Sequence, residues 1–468
     1  MERLADPDAR AAVVARLSEL YAGRPVVLGP GVLAGYTRQV RRLVELGCRV
    51  LVLSTVRGAG EVPGPDECVV LDLEAPAAPS VTEELRLLDR LAHDLSPEVA
   101  AALDAFDPGR EAIWDPGPFV ANDEPILGRR VVGGRPARFL DMEDKIFAER
   151  VWAAAGVRAA PHVVVRADDE AGLDAACEAV GGPLGAVWSG DARDGFNGGG
   201  DFVRWVVDEH DRAEARAFFL TRCDRVRVMP FLDGVPCSIH GIVLPDGTAV
   251  FRPVEIAMLR VPDERRFVYG GLSTYWDPPE ADRDEMRALA RRVGDHLRAE
   301  HGYRGAFGID GVLTADGFLP TELNTRLSAG ATAVATVAPD LFARVQAHLV
   351  SGLDTGLTVA DLESVLPLMD QERHGRPVAI GHGVSVPGDD EYDVRLVEGR
   401  LERTDELTGT VLVLGNTASG FFAKLDPCPL LAVGDRIAPL NVALMAHLDK
   451  EYAAGFGAVE AAPDLRQP

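Results

Sequence analysis

Four residues between Gly305 and Arg326 (GAFGIDGVLTADGFLPTELNTR) are of types that hold hard cations and phosphate: Asp310, Glu322, Asn324 and Arg326. Small and apolar residues alternate from Gly305 to Thr314, a turn follows at Ala315-Asp316-Gly317, and Phe318–Asn324 runs back, which predicts a β-hairpin. Strand side chains alternate between faces, so Glu322, Asn324 and Arg326 share one face and Leu323 and Thr325 the other. Pairing about the turn brings Asp310 beside Glu322. Two carboxylates that close repel each other unless a cation sits between them. Two carboxylates and an amide oxygen suit Mg²⁺ shared with nucleotide phosphates better than a closed protein cage. On residue types alone, a solvated hairpin with a polar face reads equally well.

The rest of the chain must position that hairpin. At 468 residues it has room for about three domains. We expect them at residues 1–140 (a parallel α/β domain), 141–355 (nucleotide-binding and catalytic) and 356–468 (small, α+β). The fold class is α/β to α+β. A net charge of −25 argues against nucleic acid or anionic membrane as partners. Six cysteines (Cys48, Cys68, Cys177, Cys223, Cys237, Cys428) show no C-x-x-C spacing and read as reduced, partly buried thiols. The opening MERLADPDARAAVVARL has no signal-peptide core, and no apolar run is long enough to span a bilayer, so the expected location is cytoplasmic.

In the first third, helices are expected over Pro7–Tyr21 and Tyr36–Leu46, and strands at Pro25–Leu28, Val50–Ser54 and Cys68–Leu73, a parallel α/β pattern. Gly29-Pro30-Gly31 reads as a tight turn opening a helix, because it lacks a third glycine and Pro30 removes a donor. Two short helices fill Val81–Phe106, and Asp107–Pro136 reads as a linker. Met142–Gly156 predicts a helix, and Glu170–Val180 another between strands Val163–Val165 and Leu184–Val187. In Arg193–Asp201 (RDGFNGGGD), Gly195, Gly198, Gly199 and Gly200 let backbone N–H groups approach a polyphosphate, and a strand at Phe202–Val206 makes this a flap rather than a loop opening a helix. Val226–Leu232 reads as a strand, and Cys237–Leu244 with Ala249–Ile256 as a hairpin. Arg252 and Glu255, charges in an apolar strand, are candidates to face a site. Arg260, Arg265 and Arg266 read as phosphate ligands or as a solvated loop. A helix over Glu280–Glu300 precedes the hairpin, a small-residue loop at Ser328-Ala329-Gly330 follows it, and Pro339–Leu349 is helical. The remainder predicts strands at Pro377–Ile380, Val394–Val397 and Gly409–Leu414 and a helix at Ala438–Tyr452. His382 reads as structural or substrate-facing.

An acidic residue on one strand followed by Glu-x-Asn-x-Arg on the next resembles the metal-binding end of ATP-grasp enzymes, and the strand–flap–strand order over Leu184–Val206 fits the same superfamily. That resemblance implies ATP and Mg²⁺, with Asp310, Glu322 and Asn324 as metal ligands and Glu322, Asn324 and Arg326 catalytic. Lys145, at a helix start, is then an ATP contact, as are Gly198, Gly199 and Gly200 of the flap. Met229, Pro230, Phe231 and Leu232 become the strand on which adenine rests, with Glu255 beside the site. Two departures stand out. A second phosphate lysine of the family is replaced by Ser189, leaving Arg193 as the candidate replacement, and Met229 stands where many members have Glu. Arg57 is a candidate substrate contact or a solvated loop residue.

WSGDARDGFNGGGDFVRWV, VMPFLDG, PVEI and the long C-terminal extension are similar to the peptide ligases of the pheganomycin type. This implies natural-product biosynthesis in which a nonproteinogenic, guanidino-phenylglycine-like carboxylate is joined to the amine of an amino acid or peptide through an acyl phosphate. Partners would be those small molecules, with a homodimer allowed by the superfamily. A carboxyphosphate-forming carboxylase and a non-catalytic ATP-binding regulator are the alternatives.

Overall fold

The computed structural model describes residues 4–386, 390–426 and 429–466; Cys428 lies outside them. The first elements are α1 (Pro7–Ser18), β1 (Pro25–Val32), α2 (Thr37–Glu45), β2 (Arg49–Val56), β3 (Val69–Asp72), α3 (Val81–His93), α4 (Pro97–Phe106), β4 (Ile113–Asp115) and β5 (Arg130–Val131). Their strands form a parallel sheet in the order β3-β2-β1-β4-β5. Two expectations fail here. Gly29-Pro30-Gly31 is not a turn but part of β1: Gly29 sits at φ +94°, and a Cβ there would lie 2.6 Å from the Leu53 carbonyl oxygen of the paired strand. The expected linker, for its part, contains β4 and β5. Their apolar runs are only two or three residues long, too short to register against the surrounding Pro and Gly.

A second group follows: α5 (Lys145–Ala154), β6 (Val163–Arg166), α6 (Glu170–Val180), β7 (Ala186–Gly190), β8 (Val203–Val206), α7 (Glu209–Arg222) and β9 (Arg225–Pro230). The strands pair antiparallel in the order β6-β9-β7-β8. The helix expected from Met142 begins at Lys145, because the Asp144 carboxylate accepts from the N–H groups of Ile146 and Phe147 and so caps it.

The third group is β10 (Val235–Leu244), β11 (Gly247–Val250), β12 (Val254–Val261), β13 (Arg266–Ser273), α8 (Glu280–His301), β14 (Gly305–Thr314), β15 (Gly317–Asn324), α9 (Ala329–Val334), α10 (Pro339–Val350), α11 (Val359–Glu363), α12 (Leu366–Gln371), β16 (Gly375–His382), β17 (Asp390–Val397), β18 (Arg400–Arg403), β19 (Val411–Thr417), β20 (Gly420–Leu425) and α13 (Ile437–Tyr452). These strands make one sheet, β15-β14-β10-β12-β13-β16-β20-β19-β17-β18, with β11 paired to β10. The sheet therefore runs on past residue 356. The strand expected over Ala249–Ile256 is broken between β11 and β12, and the small-residue loop at Ser328 is the cap of α9, its hydroxyl accepting from Ala331 N–H. Of the three arginines expected in a loop, Arg260 lies in β12, Arg266 opens β13, and only Arg265 sits in the turn between them.

Alternation along β14 sets up the site. Phe307 and Ile309, with Cys237 and Ile239 of β10 and Leu323 of β15, enter the core closed by α5 and α8. Gly308, Asp310, Ser238, Glu322 and Asn324 consequently turn to the other face. A register shift after Asp310 keeps it opposite Glu322 while Gly311 pairs with Pro320. Among the described residues, no helix is long and apolar enough to cross a membrane.

Candidate active site

A cavity of about 1180 Å³ lies between the β6–β9 sheet and the face of the larger sheet that carries Asp310. A carboxylate wall borders it. Asp310 and Glu322 are register partners, Asn324 Nδ2 donates to Asp310 Oδ2 at 3.0 Å, and Lys145 Nζ donates to Glu322 Oε2 at 2.6 Å. Burial, then the Glu322 charge, pushes the Asp310 carboxyl up to about 7, against the pull of Arg326, Lys145 and the Asn324 amide. Lys145 already supplies one cation to the pair. Two carboxylates and the Asn324 amide oxygen are a donor set that fits a hard divalent ion with places left for water and phosphate oxygens.

Arg326 extends the wall. Its Nη1 donates to Glu143 Oε2, which also accepts from Arg135 Nη1 at 2.7 Å, while Thr325 N–H donates to Glu143 Oε1 at 3.1 Å. Burial works against the Arg326 charge, but Glu143, then Glu322 and Asp310, hold its pKa above the usual guanidinium value. Sequence reading did not single out Glu143.

The glycine-rich segment spans from β7 to β8 and lies on α3. Thr82 Oγ1 donates to Gly198 O (2.9 Å), Thr82 N–H to Asp201 Oδ2 (2.8 Å), and Arg86 to Phe196 O (3.0 Å) and Asn197 Oδ1 (2.8 Å). Gly198, Gly199 and Gly200 line the cavity. Met229, Pro230, Phe231 and Leu232 also line it, and Phe231 packs at 4.7 Å from Trp205 and 6.0 Å from Phe267. This is an apolar, aromatic slot fit for a flat ring. The Phe231 N–H is already taken by Gly185 O.

Other expected residues fare differently. Ser189 is buried in β7 and lines the cavity. Arg193 lines it too, yet its Nε and Nη2 both donate to Asp194 and Nη2 also to Thr221 O. Arg260, Arg265, Arg266 and His382 border the cavity, while Arg57 is not among its lining. Glu255 is a correction. It lies fully buried away from the cavity, accepting from Arg436 Nε (2.6 Å) and the N–H of Ile437 (2.7 Å), so its charge caps α13. Arg252, the other charge on that segment, pairs with Asp277 and Asp370 and does not reach the cavity either. Residues not anticipated include Tyr269, whose hydroxyl burial pushes up to about 12, and Ser238, which hydrogen-bonds His240 Nε2 at 2.7 Å. Burial holds the His240 imidazole down to about 3 and so neutral. The alternation of β10 could have revealed the Ser238–His240 pair.

No family model matches the sequence, and no curated protein does. Solved structures do resemble the fold. One is carboxyaminoimidazole ribonucleotide synthase from Aspergillus clavatus complexed with ATP, at 12% identity over 92% of this chain and 99% of that chain, TM-score 0.52. A second is phosphoribosylamine–glycine ligase from Thermotoga maritima, at 15% identity over 94% of this chain and 97% of that chain, TM-score 0.51. A third is pyruvate carboxylase from Rhizobium etli, at 14% identity over 92% of this chain and 37% of that chain, TM-score 0.52. At such identities the likeness is one of fold alone, a mixed α/β arrangement of a parallel sheet with antiparallel sheets.

Proposed function

We propose that this chain is an ATP-grasp enzyme, an ADP-forming ligase that activates a carboxylate as an acyl phosphate and transfers the acyl group to an amine. The observation that carries the reading is the Asp310–Glu322–Asn324 wall, with Lys145 against it, lining the same cavity as the aromatic slot. Adenine fits the slot beside Met229–Leu232, and the triphosphate then runs under the glycine flap toward Lys145. Asp310, Glu322 and Asn324 are the residues that would hold Mg²⁺, which when bound supplies charge neutralisation to the phosphates.

The chain's own groups do the positioning. Lys145 and the flap amides orient the phosphates, and the carboxylate oxygen of the acid substrate attacks the γ-phosphorus as ADP departs. Arg326, fixed by Glu143, meets the negative charge that develops when the amine nitrogen attacks the acyl carbon and inorganic phosphate leaves with one former carboxylate oxygen. The amine loses its proton in that step. No protein nucleophile is required, and a soluble amine needs only to arrive neutral.

Within that class, the motif resemblance supports a peptide ligase of natural-product biosynthesis, taking a guanidino-phenylglycine-like carboxylate and the amine of an amino acid or peptide. The test is ADP and phosphate release with Mg-ATP against a matrix of carboxylic acids and amines, with mass spectrometry of products. ADP release that needs both substrates, with a product lighter than their sum by one water, is expected. AMP release would overturn the acyl-phosphate route. ADP release driven by bicarbonate without a carboxylic acid would replace the ligase with a carboxylase.

A further inference from the structure

Resting on the ATP reading above, we propose that Arg227 grips the phosphates between the nucleoside and the γ-phosphoryl end, through the Nε edge of its guanidinium. A triphosphate entering this acidic protein must find cations gathered in the cavity. Arg193, Arg260 and Arg266 line it, but Asp194 occupies both edge nitrogens of Arg193, Asp233 takes Arg260 Nη2, and Glu264 takes Arg266 Nε.

Arg227 differs in how it is held. Its Nη1 makes the side chain's three hydrogen bonds among the described residues: to Glu149 Oε1 (2.7 Å), Thr321 O (3.0 Å) and Lys145 O (3.3 Å). Nε is buried without a partner, in a side chain 1% exposed that nonetheless lines the cavity. Nε and Nη2 form the side-on edge that can receive two phosphate oxygens in parallel, so the bonds on Nη1 fix the fork and leave that edge without a protein partner among the described residues.

The placement agrees. On β9, Arg227 lies on the same face as Met229, two residues on, and in register opposite Ser189 of β7, a neutral residue that also lines the cavity. Its contacts with the backbone of Lys145 and Thr321 put the guanidinium next to the Lys145–Glu322 pair. It therefore stands between the aromatic slot and the carboxylate wall, where the bridging phosphates must pass. Glu149 balances its charge when no nucleotide is present.

The experiment is calorimetric titration with adenylyl imidodiphosphate and Mg²⁺, with adenosine as control. Arg227→Met is expected to weaken the triphosphate analogue roughly 30- to 100-fold, the worth of charge-assisted hydrogen bonds, while adenosine binding stays unchanged. Adding Ser189→Lys, which puts an ammonium on the same face across the strand pair, restores most of the loss. Arg227→Lys keeps the charge beside Glu149 but lacks the edge, and is expected to lose about tenfold; it decides the matter if the Met variant does not fold. Wild-type affinity for the analogue in Arg227→Met or, failing that variant, in Arg227→Lys overturns the assignment while leaving the ATP reading intact. A wild-type protein that binds no analogue removes the ATP reading, and this inference with it.

Discussion

Replacing Glu143 with Gln should destabilise the protein in a pH-dependent way that reports on Arg326. The carboxylate is shared by two guanidiniums, and the side chains of Arg135, Glu143 and Arg326 are only 2%, 4% and 10% exposed. Removing one member of a buried ionic cluster leaves uncompensated charge, at a cost of about 3–5 kcal/mol. Gln keeps the shape and an oxygen for the Thr325 N–H, so the lower end, about 3 kcal/mol, is expected at pH 7.5. Burial pushes the Glu143 carboxyl up, but Arg326 and Arg135 outweigh it and hold its pKa below the usual value. A depressed folded-state pKa gives stability that is present above the unfolded value, about 4.3, and is lost as pH falls through the folded one. The gap between wild type and variant should thus be full at pH 7.5 and shrink below pH 4. Urea unfolding followed by tryptophan fluorescence measures it, since Trp152 and Trp276 share a core with Phe139 beside the cluster. A gap under about 1 kcal/mol at pH 7.5, the level of a surface ion pair, would refute the reasoning. So would a gap that does not close in acid.

Three further outcomes are expected. Asp310→Asn should abolish substrate-dependent ADP release with the far-UV circular dichroism unchanged, and near wild-type coupling would sink the metal assignment. Arg86→Ala removes the bonds from α3 to Phe196 and Asn197, so proteolytic nicking within Gly198–Gly200 should quicken several-fold and the KM for ATP should rise; an unchanged nicking rate would show that α3 does not hold the flap. Asp115, half-buried and accepting from Tyr21 (3.2 Å) and Gln39 (2.9 Å), has its carboxyl raised to about 6 by its removal from solvent. A raised folded-state pKa gives stability that is present below the unfolded value and lost as pH rises through 6, so Asp115→Asn should gain up to about 3 kcal/mol on wild type between pH 4 and pH 7.5, and a pH-independent difference would contradict this.

What the sequence displayed best was local. The hairpin around Asp316-Gly317 was legible because alternation and turn residues sit within one short window, and the Asp310–Glu322 pairing follows from it. Helix α6 was legible for the same reason, between its capping Asp169 and Gly181. Contacts made at long range were not. Glu255 in an apolar strand resembled a site residue, yet its partners on α13 lie more than 180 residues further on. Strand β13 was hidden by Arg265-Arg266 at its start, and its partner β16 begins only at Gly375. Arg193 is close to Ser189 in sequence, yet Asp194 takes its Nε and Nη2, whereas Arg227, 38 residues after Ser189 and opposite it in register, bonds through Nη1.

The continuity of the large sheet has a consequence for any shortened form of the protein. β13 completes its pairing only with β16, through Gly271–Pro377, Leu272–Arg376 and Ser273–Gly375. A fragment ending at residue 355 would retain the carboxylate wall and the aromatic slot, but would bare a row of backbone donors and acceptors along β13 and strand the Glu255 charge without Arg436. Such an edge is a template for another chain. The last hundred or so residues act as a seal on the sheet, and their loss should first show as self-association rather than as altered substrate choice.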